Sequence, residues 1–171
     1  ILAVGRLNDY LKGFDLLIES FAKLKNQDWE LHIAGGDEEG EALKEQAERL
    51  GVINRIKFLG KVKEIDKCYA YAGMFVIPSR SEGFPNALAE AMGAGCCCVA
   101  FDFVAGPRDI IVDGISGLIV ENGNTTEMAK AIDYLIAHPE KRMQLSKEAI
   151  KIREKLNENL IANKIKYFLN L

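Results

Sequence analysis

The sequence predicts an α/β domain built on a doubly wound parallel sheet, and three observations carry that prediction. Short apolar runs alternate with amphipathic stretches along most of the chain. Those runs are apolar nearly end to end, as strands covered on both faces are. The 171 residues are 49% hydrophobic and 27% charged, enough to bury one sizeable core without staples. Repeated β-α units of this length imply right-handed crossovers.

The first strand is expected over 1–6, where Ile1-Leu2-Ala3-Val4 is a buried-strand sequence. A helix over 13–24 follows, with Phe14, Leu17, Ile18, Phe21 and Leu24 at helical spacing. The alternation continues as strand 30–34, helix 39–50, strand 56–59, helix 63–71, strand 74–78, helix 86–94 and strand 97–101. Beyond Asp102 the pattern loosens. Gly106-Pro107-Arg108-Asp109 turns into a short helix, Asp113-Gly114 makes a turn, 117–120 a short strand, and helices lie near 127–137 and 146–171. The chain opens directly on a strand, so it is expected to be one domain, 1–171, from the C-terminal part of a longer polypeptide.

Composition excludes several classes. A net charge of −3 without a basic stripe argues against nucleic acid as a partner. No apolar run reaches the roughly 20 residues of a membrane span. Cys68 is isolated, and Cys96-Cys97-Cys98 alternate faces as strand residues, so they are expected to be buried thiols of a reduced protein, not metal ligands. His32, mid-strand, is expected in the core and His138 at the surface, which leaves no support for a Ser-His-Asp site.

Ligands of doubly wound sheets sit beyond the carboxyl ends of the strands, at the switch in strand order. The loops that follow Val4, Ala34, Leu59, Ile77 and Ala100 are therefore the places to look. In the first, Arg6 and Lys12 flank a turn and could clamp a diphosphate, or could be a solvated basic pair. In the second, Gly35-Gly36-Asp37-Glu38-Glu39-Gly40 lacks G-x-G-x-x-G spacing and crowds acids at a helix start. That disfavours a nicotinamide enzyme and fits helix capping. In the third, Lys61 and Lys63 could lie against a base or be solvated.

The loop after Ile77 is the most informative. Pro78-Ser79-Arg80-Ser81-Glu82-Gly83-Phe84-Pro85-Asn86 runs into an alanine-rich helix that ends near Gly93 and Gly95. Gly83 and Pro85 fix a tight turn, with Pro85 suited to the first helical position. The N–H groups of Asn86, Ala87 and Leu88 would then lack intrahelical acceptors and suit a diphosphate. Glu82 and Glu90 are acceptors for paired sugar hydroxyls, although either alone could be a surface acid. No D-x-D occurs, so a carboxylate pair chelating a metal-diphosphate is not indicated.

The succession Val4-Gly5-Arg6-Leu7, Lys12-Gly13-Phe14, Phe58-Leu59-Gly60, Pro78 to Asn86, Glu90-Ala91-Met92, Asp113-Gly114 and Gly117-Leu118-Ile119-Val120 resembles the C-terminal domain of the group 1 retaining glycosyltransferases. These have two Rossmann-like domains in the GT-B arrangement, and the resemblance covers essentially the whole chain. The Glu82/Glu90 pair, E-x7-E, is the family's signature. By that resemblance Arg6 and Lys12 would hold the donor diphosphate and stabilise the leaving nucleoside diphosphate. Glu90 would accept from the ribose hydroxyls. Glu82, with the backbone at Gly83, Phe84 and Pro85, would contact the transferred sugar, and Asn86, Ala87 and Leu88 would supply N–H donors to the phosphates.

The resemblance also implies a cytoplasmic enzyme without metal or other cofactor, whose donor is a nucleoside diphosphate sugar. The Gly106-Pro107-Arg108-Asp109 loop is similar to that of bacterial surface-polysaccharide enzymes using uridine-linked N-acetylhexosamines. The family's N-terminal domain, which carries the acceptor site, would be this chain's partner and would supply any peripheral contact with the inner face of the membrane. A helix over 157–171 would cross back to it, leaving Leu160, Ile161, Ile165, Phe168 and Leu169 partly exposed here. Two other readings are a nucleotide-sugar-binding module without activity and a nucleotide-sugar 2-epimerase domain; the latter should lack the Arg6/Lys12 and E-x7-E combination.

Overall fold

The structure is a computed structural model that describes residues 1–36, 40–104 and 106–156. Its centre is a six-stranded parallel sheet of β1 (Leu2–Val4), β2 (Leu31–Ala34), β3 (Ile56–Gly60), β4 (Phe75–Ile77), β5 (Cys98–Phe101) and β6 (Leu118–Val120). The spatial order is β3-β2-β1-β4-β5-β6, so the winding reverses between β1 and β4. Helices α1 (Phe14–Ala22), α2 (Glu41–Arg49), α3 (Ile65–Tyr71), α4 (Asn86–Gly93), α5 (Pro107–Ile110), α6 (Thr125–Ala137), α7 (Pro139–Ala149) and α8 (Ile152–Lys155) connect and flank the strands. This is the doubly wound fold that the sequence predicts.

The central strands explain their own composition. Ala3, Ile33, Phe75, Val76, Val99 and Ala100 are all buried, so neither face of the pleat can be polar. The helices seal the sheet through single apolar stripes: Leu17, Ile18 and Phe21 from α1, Leu88, Ala91 and Met92 from α4, and Met128, Ile132 and Leu135 from α6. Cys96, Cys97 and Cys98 are buried as expected, and desolvation pushes the thiols of Cys96 and Cys97 up to about 11 and about 12.

Two local expectations are corrected. His32 is not in the core: its side chain is half-exposed in a groove beside Leu59, Cys68 and Tyr71, with Nε2 3.0 Å from Glu30 Oε2. Strand alternation turns Leu31 and Ile33 to the covered side and leaves His32 on the open one. The chain after α6 does not wait until 146 for its next helix. Pro139 starts α7 at once, as a proline at the first helical position can, and α8 follows. The rest of the expected terminal helix, with its apolar side, lies outside the described residues. Among the described residues no helix is long and apolar enough to cross a membrane.

Two glycines decide how the carboxyl end of the sheet closes. A Cβ on Gly35 would lie 1.8 Å from the Gly5 carbonyl oxygen. Gly5 N–H donates to Ala34 O and Gly35 N–H to Gly60 O, both at 2.9 Å, so the β1, β2 and β3 ends draw together with no side chain between them. Gly13 has φ +66°, and a Cβ there would lie 2.0 Å from the Pro78 carbonyl oxygen. Gly35→Ala is expected to cost about 3 kcal/mol of stability. Gly36→Ala, with open space where its Cβ would go, should stay within about 0.5 kcal/mol. Urea unfolding midpoints of the two variants check this, and equal losses would refute the close-approach account.

Candidate functional site

The drawn-together strand ends form the floor of a cleft of about 440 Å³. Gly5, Ala34 and Gly35 line its base, and Arg6, Lys61, Val62 and Glu90 stand around it. Two sequence-predicted residues, Arg6 and Glu90, thus meet in one cavity although 84 positions separate them (90 − 6). Arg6 is 77% exposed and donates to Asp9 Oδ2 at 2.8 Å, a surface pair that water screens. Its guanidinium can therefore be recruited by a ligand at small cost.

Glu90 is anchored from below. The hydroxyl of Tyr69, the buried residue of α3, donates to Glu90 Oε2 at 3.0 Å. Burial first, and then the neighbouring Glu90 charge, push the Tyr69 phenol well above its usual range, so it is a donor at every physiological pH.

Lys12 and Glu82 meet each other at the switch point. Lys12 Nζ lies 2.8 Å from both Glu82 carboxylate oxygens, and Ser79 Oγ donates to Oε1 at 2.7 Å. The Glu82 side chain is only 12% exposed, so it is no surface acid. Glu82 and Glu90, adjacent in the signature, have separate partners in the fold: one a lysine, the other a tyrosine.

The first turn of α4 differs from expectation. Pro85 is the N-cap and not the first helical residue. Asn86 N–H donates to Phe84 O at 2.9 Å and Leu88 N–H to Pro85 O at 3.0 Å. The Phe84-Pro85 turn folds back on itself, which supplies acceptors to two of the three N–H groups expected to be open. Ala87 N–H has no backbone acceptor among the described residues. Gly83 has open space around it, and Phe84 is half-exposed. Pro85 is buried against Gly106, where a Cβ would come within 3.1 Å of the proline ring, so the Gly106-Pro107 turn buttresses this loop.

Sequence reasoning missed one pair that organises the site. Arg80 donates bidentately to Asp15, at 2.7 Å to Oδ1 and 2.6 Å to Oδ2. It also donates to Tyr10 O at 2.8 Å, and its guanidinium stacks 3.8 Å from the centre of the Tyr10 ring. Its backbone N–H reaches Leu11 O at 2.7 Å, and its carbonyl accepts from Asn122 at 3.2 Å. The Lys12 turn and the Glu82 loop are thereby fastened together. The available signal was opposite charge in the first turn of α1 and in the loop that follows β4.

Sheet order, cleft and rim together define a Rossmann-like domain with an open cleft at the strand carboxyl ends, where doubly wound folds bind their ligands. The chain belongs to the group 1 glycosyltransferases: the family model, Glycosyl transferases group 1, matches residues 1–152. An uncharacterised glycosyltransferase of Haemophilus influenzae is 36% identical over 148 residues, covering 85% of this chain and 42% of that protein. The amylovoran biosynthesis glycosyltransferase AmsD of Erwinia amylovora is 30% identical over 170 residues, covering 99% of this chain and 48% of its own. Among solved structures, Anabaena Alr3699/HepE in complex with UDP matches with TM-score 0.91 at 25% identity, over 99% of this chain and 48% of that one. The chain spans less than half the length of these proteins.

The Asp15–Arg80 pair gives a pH prediction. Burial pushes the Asp15 carboxyl up, but the hydrogen bonds and charge of Arg80 outweigh it and hold the carboxyl below 3.8. A depressed folded-state pKa stabilises the fold above the unfolded value and is lost as pH falls through the folded value. Arg80→Met is therefore expected to be less stable near neutrality and to lose less stability than the parent between about pH 4 and pH 2. Urea midpoints across that range test it; parallel profiles would refute the pair's contribution.

Proposed function

We propose that the chain is the donor-binding, C-terminal domain of a retaining, metal-independent glycosyltransferase acting in cell-surface polysaccharide or glycolipid synthesis at the cytoplasmic side of the membrane. The observation that carries it is the cleft that holds Arg6 and Glu90 on opposite chemistry: a recruitable cation and an anchored acceptor. A nucleoside diphosphate needs both. UDP in the Anabaena neighbour and amylovoran synthesis by the Erwinia relative support a UDP-sugar and a polysaccharide product.

In this reading the ribose hydroxyls donate to Glu90, with Lys61 and Val62 beside the base. The diphosphate meets Arg6, Lys12 and the Ala87 N–H. As the bond between the sugar's anomeric carbon and the phosphate oxygen lengthens, negative charge grows on that oxygen, and the two cations stabilise it there. The lack of D-x-D and the presence of these cations support a route without a metal. Glu82 and the backbone at Gly83, Phe84 and Pro85 face the transferred sugar, and Glu82 keeps the Lys12 ammonium in place between turnovers. The acceptor is held by the protein's other domain.

Calorimetric titration with UDP, GDP and ADP tests the reading. UDP is expected to bind tightest, unchanged by a chelator, and Arg6→Ala or Glu90→Ala should weaken it about tenfold, as loss of a charge-assisted hydrogen bond does. If both variants keep full affinity, the site is misassigned. The 171-residue chain alone is expected to transfer no sugar; measurable turnover by it would refute the two-domain requirement.

A further inference from the structure

We propose that Tyr69 is a positioning residue that makes the cleft select ribonucleotides over 2′-deoxyribonucleotides, acting through Glu90. The inference rests on the reading above, in which Glu90 accepts from the ribose.

Glu90 is an exposed glutamate on a helix, and such a side chain ordinarily samples several rotamers and satisfies itself with water. Here the Tyr69 hydroxyl holds Oε2 at 3.0 Å. The tyrosine itself has nowhere to go. It is 1% exposed, and its ring meets Phe75 of β4 edge-on, with centroids 5.7 Å apart and planes at 72°. Its carbonyl oxygen accepts from the Cys96 thiol at 2.9 Å, which ties the α3 backbone to the segment leading into β5. The carboxylate is therefore held at the cleft by a donor fixed to the core. The raised phenol pKa keeps that donor protonated.

A fixed acceptor discriminates more sharply than a mobile one. When the ligand lacks the hydroxyl, a mobile carboxylate swings to water and loses little. A tethered carboxylate is left short of a donor inside the cleft, and that desolvation falls on the wrong ligand. Tyr69 is thus not required for the glutamate to accept a hydrogen bond; it is required for the absence of that bond to be costly. Phenylalanine at position 69 would keep the ring and remove only the tether.

The test is a set of titrations of the 171-residue chain with UDP and with 2′-deoxy-UDP, using the parent, Tyr69→Phe, Glu90→Gln and Glu90→Ala. The parent is expected to favour UDP by about tenfold or more. In Tyr69→Phe the preference should fall to roughly threefold or less, with UDP affinity nearly unchanged and 2′-deoxy-UDP affinity raised, because the released carboxylate can turn to water when the hydroxyl is missing. Glu90→Gln, which leaves the core untouched, should also narrow the preference, and Glu90→Ala should abolish it. If Tyr69→Phe weakens both ligands equally and keeps the ratio, Tyr69 is merely structural and the inference fails, while a collapsed ratio in Glu90→Ala would leave the donor-site reading standing. If Glu90→Ala keeps the ratio, or the parent shows no preference, Glu90 does not read the ribose and both fall.

Discussion

The site depends on the seam between the loop after β1 and the loop after β4, the place where the winding of the sheet reverses. Elsewhere in a doubly wound sheet neighbouring connections run the same way and support each other. At the reversal they part, which leaves both a crevice for a ligand and two loops without mutual support. This chain closes the gap with backbone and charge. Gly13 lets the start of α1 reach the Pro78 carbonyl, Arg80 N–H reaches Leu11 O, the Arg80 fork grips Asp15, and Lys12 grips Glu82. These ion pairs are partly exposed, with side-chain exposures of 19% for Arg80 and 40% for Asp15, so their contribution to stability is screened. Their geometric effect is not. They fix where the cation of one loop stands relative to the acid of the other.

That seam also explains what was legible in the sequence. The fold was legible because β4 and β5 are covered on both faces along their whole length, which forces uninterrupted apolar runs such as those around Ile77 and Val99. Arg6, Lys12, Glu82 and Glu90 were visible as chemistry because each lies in a loop that follows a strand end or one turn into the helix after it. Their pairing was not visible. Which loops face one another depends on the strand order, and the reversal places residues 80 and 15 together across 65 positions. Tyr69 was hidden for another reason: a tyrosine in an apolar helical stripe looks like core, and here it is core and donor at once. His32 misled in the opposite direction. Its flanks, Leu31 and Ile33, are buried, but alternation sends the imidazole to the open side.

The two acids of the signature do different physical work because their surroundings differ. Glu82 sits at 12% exposure with an ammonium on both oxygens and a serine hydroxyl on one of them. It behaves as half of a neutral unit. Glu90 has a neutral partner, so its negative charge is undiminished, and it lines the open cleft. An acceptor meant for neutral hydroxyls gains from retaining its charge, because a charge-assisted hydrogen bond is the stronger kind. An acid near a phosphate gains from being neutralised, because otherwise it would repel the ligand.

The same division orders the two cations. Arg6 is exposed and only loosely paired, whereas Lys12 is held by Glu82. On the proposed reading a diphosphate arriving at the cleft first recruits Arg6, since separating an exposed pair costs little. Lys12 can turn to the phosphate only by sharing or releasing Glu82, and release leaves a partly buried carboxylate with Ser79 on Oε1 and Oε2 in want of a donor. A sugar hydroxyl on the donor is such a group. A bare nucleoside diphosphate has only its ribose hydroxyls, which Glu90 takes on this reading, so it engages Arg6 and leaves the Lys12–Glu82 pair closed. The full donor satisfies Glu82 and frees the ammonium for the leaving phosphate. On that same reading, the switch-point seam makes the strongest electrostatic help available only when a sugar is present to be transferred.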